Sequence, residues 1–488
     1  MRAAWVRKPA FWTGCLVALG VGLRVYHYAR NPSVWHDEAA LILNVIRKNF
    51  TELLGPLLFS EGAPPLFLWI ERAVFLMLGD GTYALRLVPF LASCLSLVLL
   101  ALVARRVLVT EAVPWVVLPF AVADTILWHS CEAKPYAVDL LIATTLLALH
   151  CYTSSWRLFW QLALYTMVAP VFIFLSYPGC FLMGGVLMAL LPAVWKGGSG
   201  GRWAEAFPVW IAYGLLSFAV FASFLLLLVG PIHAQRDGAM TSCWVDLFAP
   251  WHQPWKVPVW ALASTLEIFR YCCPPAGQPL AILAGVGCIH LARRGQGRLL
   301  TLILVPVLLA FFAACARAYP YGGARVLAYA APGLLLLLGA GTPPAVAWLR
   351  TRSRVAALAL CLFLVIPAAS ALAHMVWPWG RADCARASAY VLAHRHWDER
   401  IIGNTWECQY YFRHQGQAFQ LWQQVRLPVS GRVWVVFSGG TPQDRLEIAE
   451  HCRRVQGRIL DQQAFERTMV LLLEREDYPA VSEQHLLD

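Results

Sequence analysis

Charge is scarce in this chain. Of its 488 residues only 14% are Asp, Glu, Lys or Arg, while 59% are hydrophobic. Soluble domains carry about 25% charged residues, so this balance excludes an ordinary water-soluble globule. None of the 14 cysteines forms a Cys-x-x-Cys pair at metal spacing. Cys15, Cys94, Cys151, Cys180, Cys288, Cys315 and Cys361 fall inside apolar runs and read as small buried hydrophobes. Cys384, Cys408 and Cys452 lie in a polar tail, where two of them could pair if the tail faces an oxidising compartment. That tail carries no dinucleotide-binding glycine fingerprint, no P-loop and no nucleophile elbow, and no internal repeat is evident.

What the chain has instead is apolar runs long enough to cross a bilayer. Eleven spans are expected, at about residues 10–29, 83–104, 112–128, 136–152, 158–176, 178–195, 207–230, 276–291, 299–316, 326–341 and 355–374. The first is too long for a cleaved signal peptide and no small-residue cleavage site follows it, so it reads as an uncleaved span. Alternate loops hold Arg2, Arg7, Lys8, Arg105, Arg106, Arg157, Lys196, Arg202, Arg293, Arg294, Arg298, Arg350, Arg352 and Arg354. These are fourteen bases against Glu111 and Glu205, so the loops net +12 and the rest of a chain of formal charge +11 nets −1. Basic residues gather on the cytoplasmic side of membrane proteins. The charge therefore reports topology and calls for no nucleic-acid partner. It puts the N-terminus in the cytoplasm and the C-terminus outside, in a multi-pass protein of the inner (plasma) membrane.

Residues 30–82 form the first outside loop. Its apolar stretch 64–78 is short, with Glu71 and Arg72 in the middle, and reads as an interfacial helix pair rather than a span. Residues 196–202 are a glycine-rich inside linker. Loop 231–275 holds Trp244, Trp251, Trp255 and Trp260, read as an aromatic interface belt ahead of a sugar platform. The expected domains are a transmembrane domain, 1–375, and a small extracytoplasmic α/β domain, 376–488. In the latter, helices are expected at 386–396, 406–414 and 442–455 (opened by Thr441), and strands at 400–404, 433–438 and 468–473.

Three polar clusters fall on the outside face. Trp35-His36-Asp37-Glu38-Ala39 places two carboxylates just beyond the first span. A carboxylate at headgroup depth can deprotonate an acceptor hydroxyl beside a lipid phosphate; loop acids of no special role are equally familiar there. Glu132-Ala-Lys134-Pro-Tyr136 occupies a loop of about seven residues, with Asp139 one turn into the next span. Lys134 can bind phosphate as a point charge and Tyr136 can stack on a sugar; a self-neutralising pair at a helix end is the other reading. Asp139 is an intramembrane acid for which Lys134 could serve as partner. Tyr319-Pro-Tyr321-Gly-Gly-Ala-Arg325 supplies an Arg able to grip phosphate bidentately or to snorkel. Arg24 and Arg86, near outer ends of spans, carry the same two readings, and Asp124 is left without a role.

The series Arg24, Trp35-His-Asp-Glu-Ala, Glu61-Gly-Ala-Pro64-Pro65-Leu-Phe, Gly79, Leu85-Arg86 and Ser130-Cys-Glu-Ala-Lys134-Pro-Tyr136 with Asp139 resembles the bacterial GT-C class of membrane glycosyltransferases. The branch it is similar to includes protein O-mannosyltransferases, aminoarabinose transferases and lipopolysaccharide-core galacturonosyltransferase-like proteins. The resemblance covers about residues 1–370. It implies a polyprenyl-phosphate sugar donor, transfer on the periplasmic face and inversion at the anomeric carbon. It also implies that Asp37 is the catalytic acid or base, with Glu38 beside it. Lys134 and Arg325 would contact the donor phosphate, and Glu132 and Tyr136 would line the pocket, with Glu61, Arg86, Asp139 and Tyr321 as further substrate-binding candidates. Ala63 departs from the pattern, since some relatives carry Lys there, as does Pro135, where Gln or Met is more usual. No cofactor is required by the motifs; a divalent metal, if one takes part, would sit on Asp37 and Glu38. The acceptor could be a lipid, a glycan or a protein. The alternative reading is a transporter or flippase of a lipid-linked anion, which calls for mid-span charges and broken helices in paired halves.

Overall fold

The computed structural model describes residues 9–198, 203–427 and 429–475. The expected inside residues Arg2, Arg7, Lys8 and Arg202, with linker positions 199–201, lie outside the described residues. Among those described, nine helices are long and apolar enough to cross a membrane: Pro9–Arg30, Leu87–Val107, Tyr136–Thr153, Leu158–Leu175, Gly179–Lys196, Phe207–Gln235, Gly297–Cys315, Arg325–Arg352 and Arg354–Val376. A bent pair, Pro254–Cys272 and Gly277–Arg293, meets at 98° and adds a tenth span if taken together. The protein is a multi-pass membrane protein.

The third expected span is not one straight helix. Val113–Val122 holds Pro119, and at Ala123 the backbone turns extended before a second short helix, Asp124–His129. A helix end inside a membrane leaves carbonyls that no water can satisfy. Arg24 supplies the donors: its guanidinium reaches Phe120 O at 3.0 Å, Ala121 O at 3.3 Å and Ser93 Oγ at 2.8 Å. Arg24 is thus neither snorkelling nor facing a ligand; it caps a broken helix. On the other side of the break, Asp124 accepts from Ser370 Oγ at 2.5 Å and lies 2.9 Å from His374 Nδ1. Residues 231–275, read as loop, contain the helix Val257–Cys272.

Helices Gly277–Arg293 and Ala331–Arg352 meet on glycines. A Cβ on Gly287 would come 1.9 Å from Leu337 O, and one on Gly341 1.9 Å from Leu283 O. Small residues allow such approach where lipid gives no hydrophobic drive between helices. The stretch 64–78, expected as a helix pair, forms one helix, Pro65–Leu78. Its Arg72 donates to Val45 O and Ile46 O, capping the end of helix His36–Arg47.

The chain divides into two compact units, one of residues 1–31 and 44–378, the other of 32–43 and 379–488. Residues 32–43 group with the tail, which the sequence did not suggest. In the second unit, strands β1 (Arg400–Gly403), β2 (Phe419–Leu421), β3 (Gly431–Ser438), β4 (Arg458–Phe465) and β5 (Thr468–Arg475) make one sheet in the order β2-β1-β3-β5-β4. β1 runs parallel to β2 and β3, while β5 is antiparallel to β3 and β4. Alternation along β3 splits the core. Trp434 and Val436 pack with helix Cys384–His394, and Val433 and Val435 with helix Pro442–Gln456. Cys384 and Cys408 therefore share one face of the sheet while Cys452 lies on the other, and all three are free thiols. Thr441 opens the second helix, as expected, in a reciprocal cap with Asp444.

Candidate functional site

The membrane unit gathers a polar cluster around residues 128–136. Helix Asp124–His129 ends at Ser130, whose Oγ donates to Leu127 O, and Pro135 then starts helix Tyr136–Thr153. Proline fits a helix start because its missing N–H has no partner to lose there. The tight link leaves Glu132 and Lys134 buried, at 1% exposure each. Lys134 Nζ lies 2.5 Å from Glu61 Oε2. Glu61 is held in a locked loop. Asn44 brackets Leu58 through both its amide atoms, and Phe59 and Ser60 adopt φ of 66° and 52°. Two successive non-glycine residues in the left-handed region persist only where the surroundings over-determine them, and such strain clusters at ligand sites.

Glu132 faces a different set. Trp128 Nε1 donates to its Oε2 at 3.0 Å, and His129 Nδ1 lies 2.5 Å from its Oε1. His129 Nε2 contacts the Tyr271 hydroxyl, and Thr125 Oγ1 donates to Tyr271 O at 2.6 Å. An ionised Glu132 accepts only, so Nδ1 of His129 is the donor in that contact. The His129 and Tyr136 rings lie 5.0 Å apart, and the Arg325 guanidinium sits 5.8 Å from the Tyr136 ring and 5.5 Å from that of Trp244. Two groups result: Lys134 with Glu61, and Glu132, Tyr136 and Arg325 with His129 and Tyr271, the last two missed by the sequence reading. The sign available was His129 at a span end, three residues before Glu132.

Three candidates stand apart from this cluster. Asp139 is buried and accepts from Ser176 Oγ at 2.6 Å, while Lys134 pairs with Glu61, not with Asp139. Arg86 donates to Asn31 Oδ1 at 2.8 Å, and Asn31 also donates to Thr82 Oγ1. Tyr321 packs on Trp260 and Phe311, with its hydroxyl 2.9 Å from Thr265 Oγ1, and burial raises its phenol pKa.

Asp37 and Glu38 occupy the first turn of helix His36–Arg47 in the second unit, where the helix dipole favours carboxylates. Glu38 is fully buried, with Arg381 Nη1 3.6 Å from its Oε2. Arg381 also donates to Ser33 O, and Ser33 Oγ to Asp383 Oδ1 at 2.9 Å. His36 stacks on Trp406 with centroids 4.0 Å apart and places Nδ1 3.2 Å from Glu407 Oε2. Asp37 stays partly exposed. The adjacent carboxylates are therefore unequal: Glu38 is fully buried, whereas Asp37 is partly exposed as a residue but keeps its Oδ2 buried. Among the described residues no group of three or more His, Cys, Asp or Glu that could hold a metal ion is found.

No family model matches the chain, and no curated protein matches it in sequence. Solved structures do. The apo crystal structure of ArnT from Cupriavidus metallidurans aligns over 95% of this chain and 98% of its own, with TM-score 0.50 and 12% identity. The Archaeoglobus fulgidus oligosaccharyltransferase, in a complex with Zn and sulfate, aligns over 83% of this chain with TM-score 0.50 and 11% identity. The match spans 62% of that longer enzyme. At these identities the likeness is one of fold. The fold is that of the GT-C class of membrane glycosyltransferases, many apolar helices with a small sheet-containing domain.

Proposed function

We propose that this protein is an inverting glycosyltransferase that moves a sugar from a polyprenyl-phosphate carrier to an acceptor on the outer face of the membrane. The observation that carries the reading is the buried Lys134–Glu61 pair, on the short link that also bears Glu132 and Tyr136, in a chain with the GT-C fold. A cation buried against a carboxylate is proposed to exchange it: an arriving phosphate replaces Glu61 as acceptor, so the charge is desolvated in advance. Lys134 and Arg325 would take the phosphate, and Tyr136 the sugar face. His129, held between Glu132 and Tyr271, would keep the loop in that arrangement.

Asp37 is proposed as the acid/base. It removes the acceptor hydroxyl proton as the acceptor oxygen bonds to the anomeric carbon, and the bond from that carbon to the phosphate oxygen breaks. The electron pair leaves on the carrier phosphate. Glu38, bound to Arg381, would fix the turn that presents Asp37. The N-terminus is proposed to be cytoplasmic and the tail extracytoplasmic.

The test is turnover of a panel of radiolabelled polyprenyl-phosphate sugars by the purified protein. Sugar transfer with inverted anomeric configuration supports the reading. Transfer with retention, or carrier movement across the bilayer without any bond cleavage, overturns it.

A further inference from the structure

Gln235 ends the span Phe207–Gln235, after a π-helical turn at Leu228–Ile232 that contains Pro231. Such turns widen a helix and recur at functional sites. The side chain is buried, at 5% exposure. Its Oε1 accepts from Ala63 N at 3.1 Å and from the Tyr177 hydroxyl at 2.6 Å. Tyr177 is itself set by a turn that only glycine closes, since a Cβ on Gly179 would come 2.4 Å from Phe172 O. Burial raises the Tyr177 phenol pKa, so it stays a donor.

A backbone N–H can only donate, so the amide atom facing Ala63 must be the oxygen. That orientation is forced, and it turns Nε2 away. Nε2 is buried and meets no acceptor. Buried amide N–H groups almost always find an acceptor, and leaving them without one is costly. The loop that Gln235 grips, Glu61-Gly62-Ala63, is the loop whose Glu61 faces Lys134.

We infer that Gln235 Nε2 is a substrate-binding donor, taking an oxygen acceptor of the sugar-phosphate headgroup, either phosphoryl oxygen or sugar hydroxyl. This rests on the donor class proposed above. Gln235 adds to the charged Lys134–Glu61 pair a neutral donor that can read hydroxyl positions. A neutral amide adds no charge to the phosphate site, so its contribution is directional.

The experiment measures binding of undecaprenyl phosphate, and separately of undecaprenyl-phosphate hexoses and pentoses, to the full-length protein in nanodiscs. Wild type is compared with Gln235→Glu, which keeps an oxygen for Ala63 N and Tyr177 but loses the donor, and with Gln235→Met. Loss of tenfold or more in Gln235→Glu with all probes assigns the phosphoryl oxygen; loss only with the sugar-bearing probes assigns a hydroxyl. In either case, lowering the pH from about 8 to about 5 should narrow the gap to wild type, because a protonated carboxyl regains an O–H donor. At about pH 5 the protonated Gln235→Glu should bind more tightly than Gln235→Met, which has neither charge nor donor; equal binding by the two would mean that only charge repulsion was relieved and would overturn the inference. Wild-type affinity in both variants, with every probe, means that the amide holds only water and overturns the inference while leaving the proposed function standing. Failure of wild type to bind any probe would instead overturn the donor class itself.

Discussion

Lys134 and Glu61, 73 positions apart in the chain, face each other at 2.5 Å with the lysine almost wholly buried. Removing one partner of a buried pair typically costs about 3–5 kcal/mol, because a desolvated charge loses its counter-charge. Glu61→Gln should therefore destabilise the protein, measured as a lower unfolding temperature in detergent. Saturating polyprenyl phosphate should return much of that loss, since the phosphate replaces the carboxylate. Lys134→Met leaves Glu61 without its counter-charge and should also destabilise the protein, yet polyprenyl phosphate should return none of that loss, because the cation proposed to take the phosphate is gone. Equal destabilisation by both variants, with no ligand rescue, would make the pair purely structural.

His129 joins Glu132 to Tyr271. Cutting either link in a buried network costs about 1–3 kcal/mol, or roughly 5- to 150-fold in an equilibrium or rate. Glu132→Gln and Tyr271→Phe should each reduce kcat/KM by such a factor, and the double variant by little more than the worse single, because the two act through one imidazole. Strictly additive losses would place them in separate roles.

Most of the membrane architecture was legible, because a span is a run of apolar residues and needs no long-range information. The exceptions are instructive. The 112–128 run hides a break at Ala123 that becomes sensible only once Arg24 and Asp124 find partners on other helices. Helix Val257–Cys272 was masked by Lys256, Glu267 and Arg270, which dilute its hydropathy. In the tail, β4 was missed because its pattern, Arg458 to Phe465 with Asp461, Gln462 and Gln463, is that of a polar sheet edge. β2 is only three residues long.

The candidate site was legible as types and not as pairs. Asp37, Lys134 and Arg325 were picked out by residue type, loop position and family resemblance. That Lys134 meets Glu61 rather than Asp139, and that Glu38 meets Arg381, depends on contacts across the fold. Gln235 offered no sign in sequence, since a glutamine after a proline-broken helix has no pattern of its own.

Trp434 is the largest fully buried side chain of the tail, and its Nε1 donates to Glu399 Oε2 at 2.7 Å. Trp434→Ala should destabilise that unit by about 3–5 kcal/mol through the cavity it leaves. Protease sensitivity of the tail in the full-length protein should rise accordingly. Unchanged sensitivity would contradict the packing described for β3.

Topology is open to direct test. With the tail outside, a C-terminal alkaline phosphatase fusion should be active and a C-terminal fluorescent protein of the kind that folds only in the cytoplasm should be dark. The reverse pattern would invert the proposed orientation and move Asp37 to the wrong side for an extracytoplasmic acceptor.

The decisive measurement separates chemistry from binding. Donor affinity and sugar transfer are followed together in wild type, Asp37→Asn and Lys134→Ala, using whichever polyprenyl-phosphate sugar the wild type turns over. General acid/base groups contribute about 10²–10⁴ in rate. Asp37→Asn should lose transfer by that factor while binding donor as wild type does; Lys134→Ala should lose donor binding itself. Full transfer activity in Asp37→Asn, or undiminished donor binding in Lys134→Ala, would contradict the proposed division of labour between the two residues.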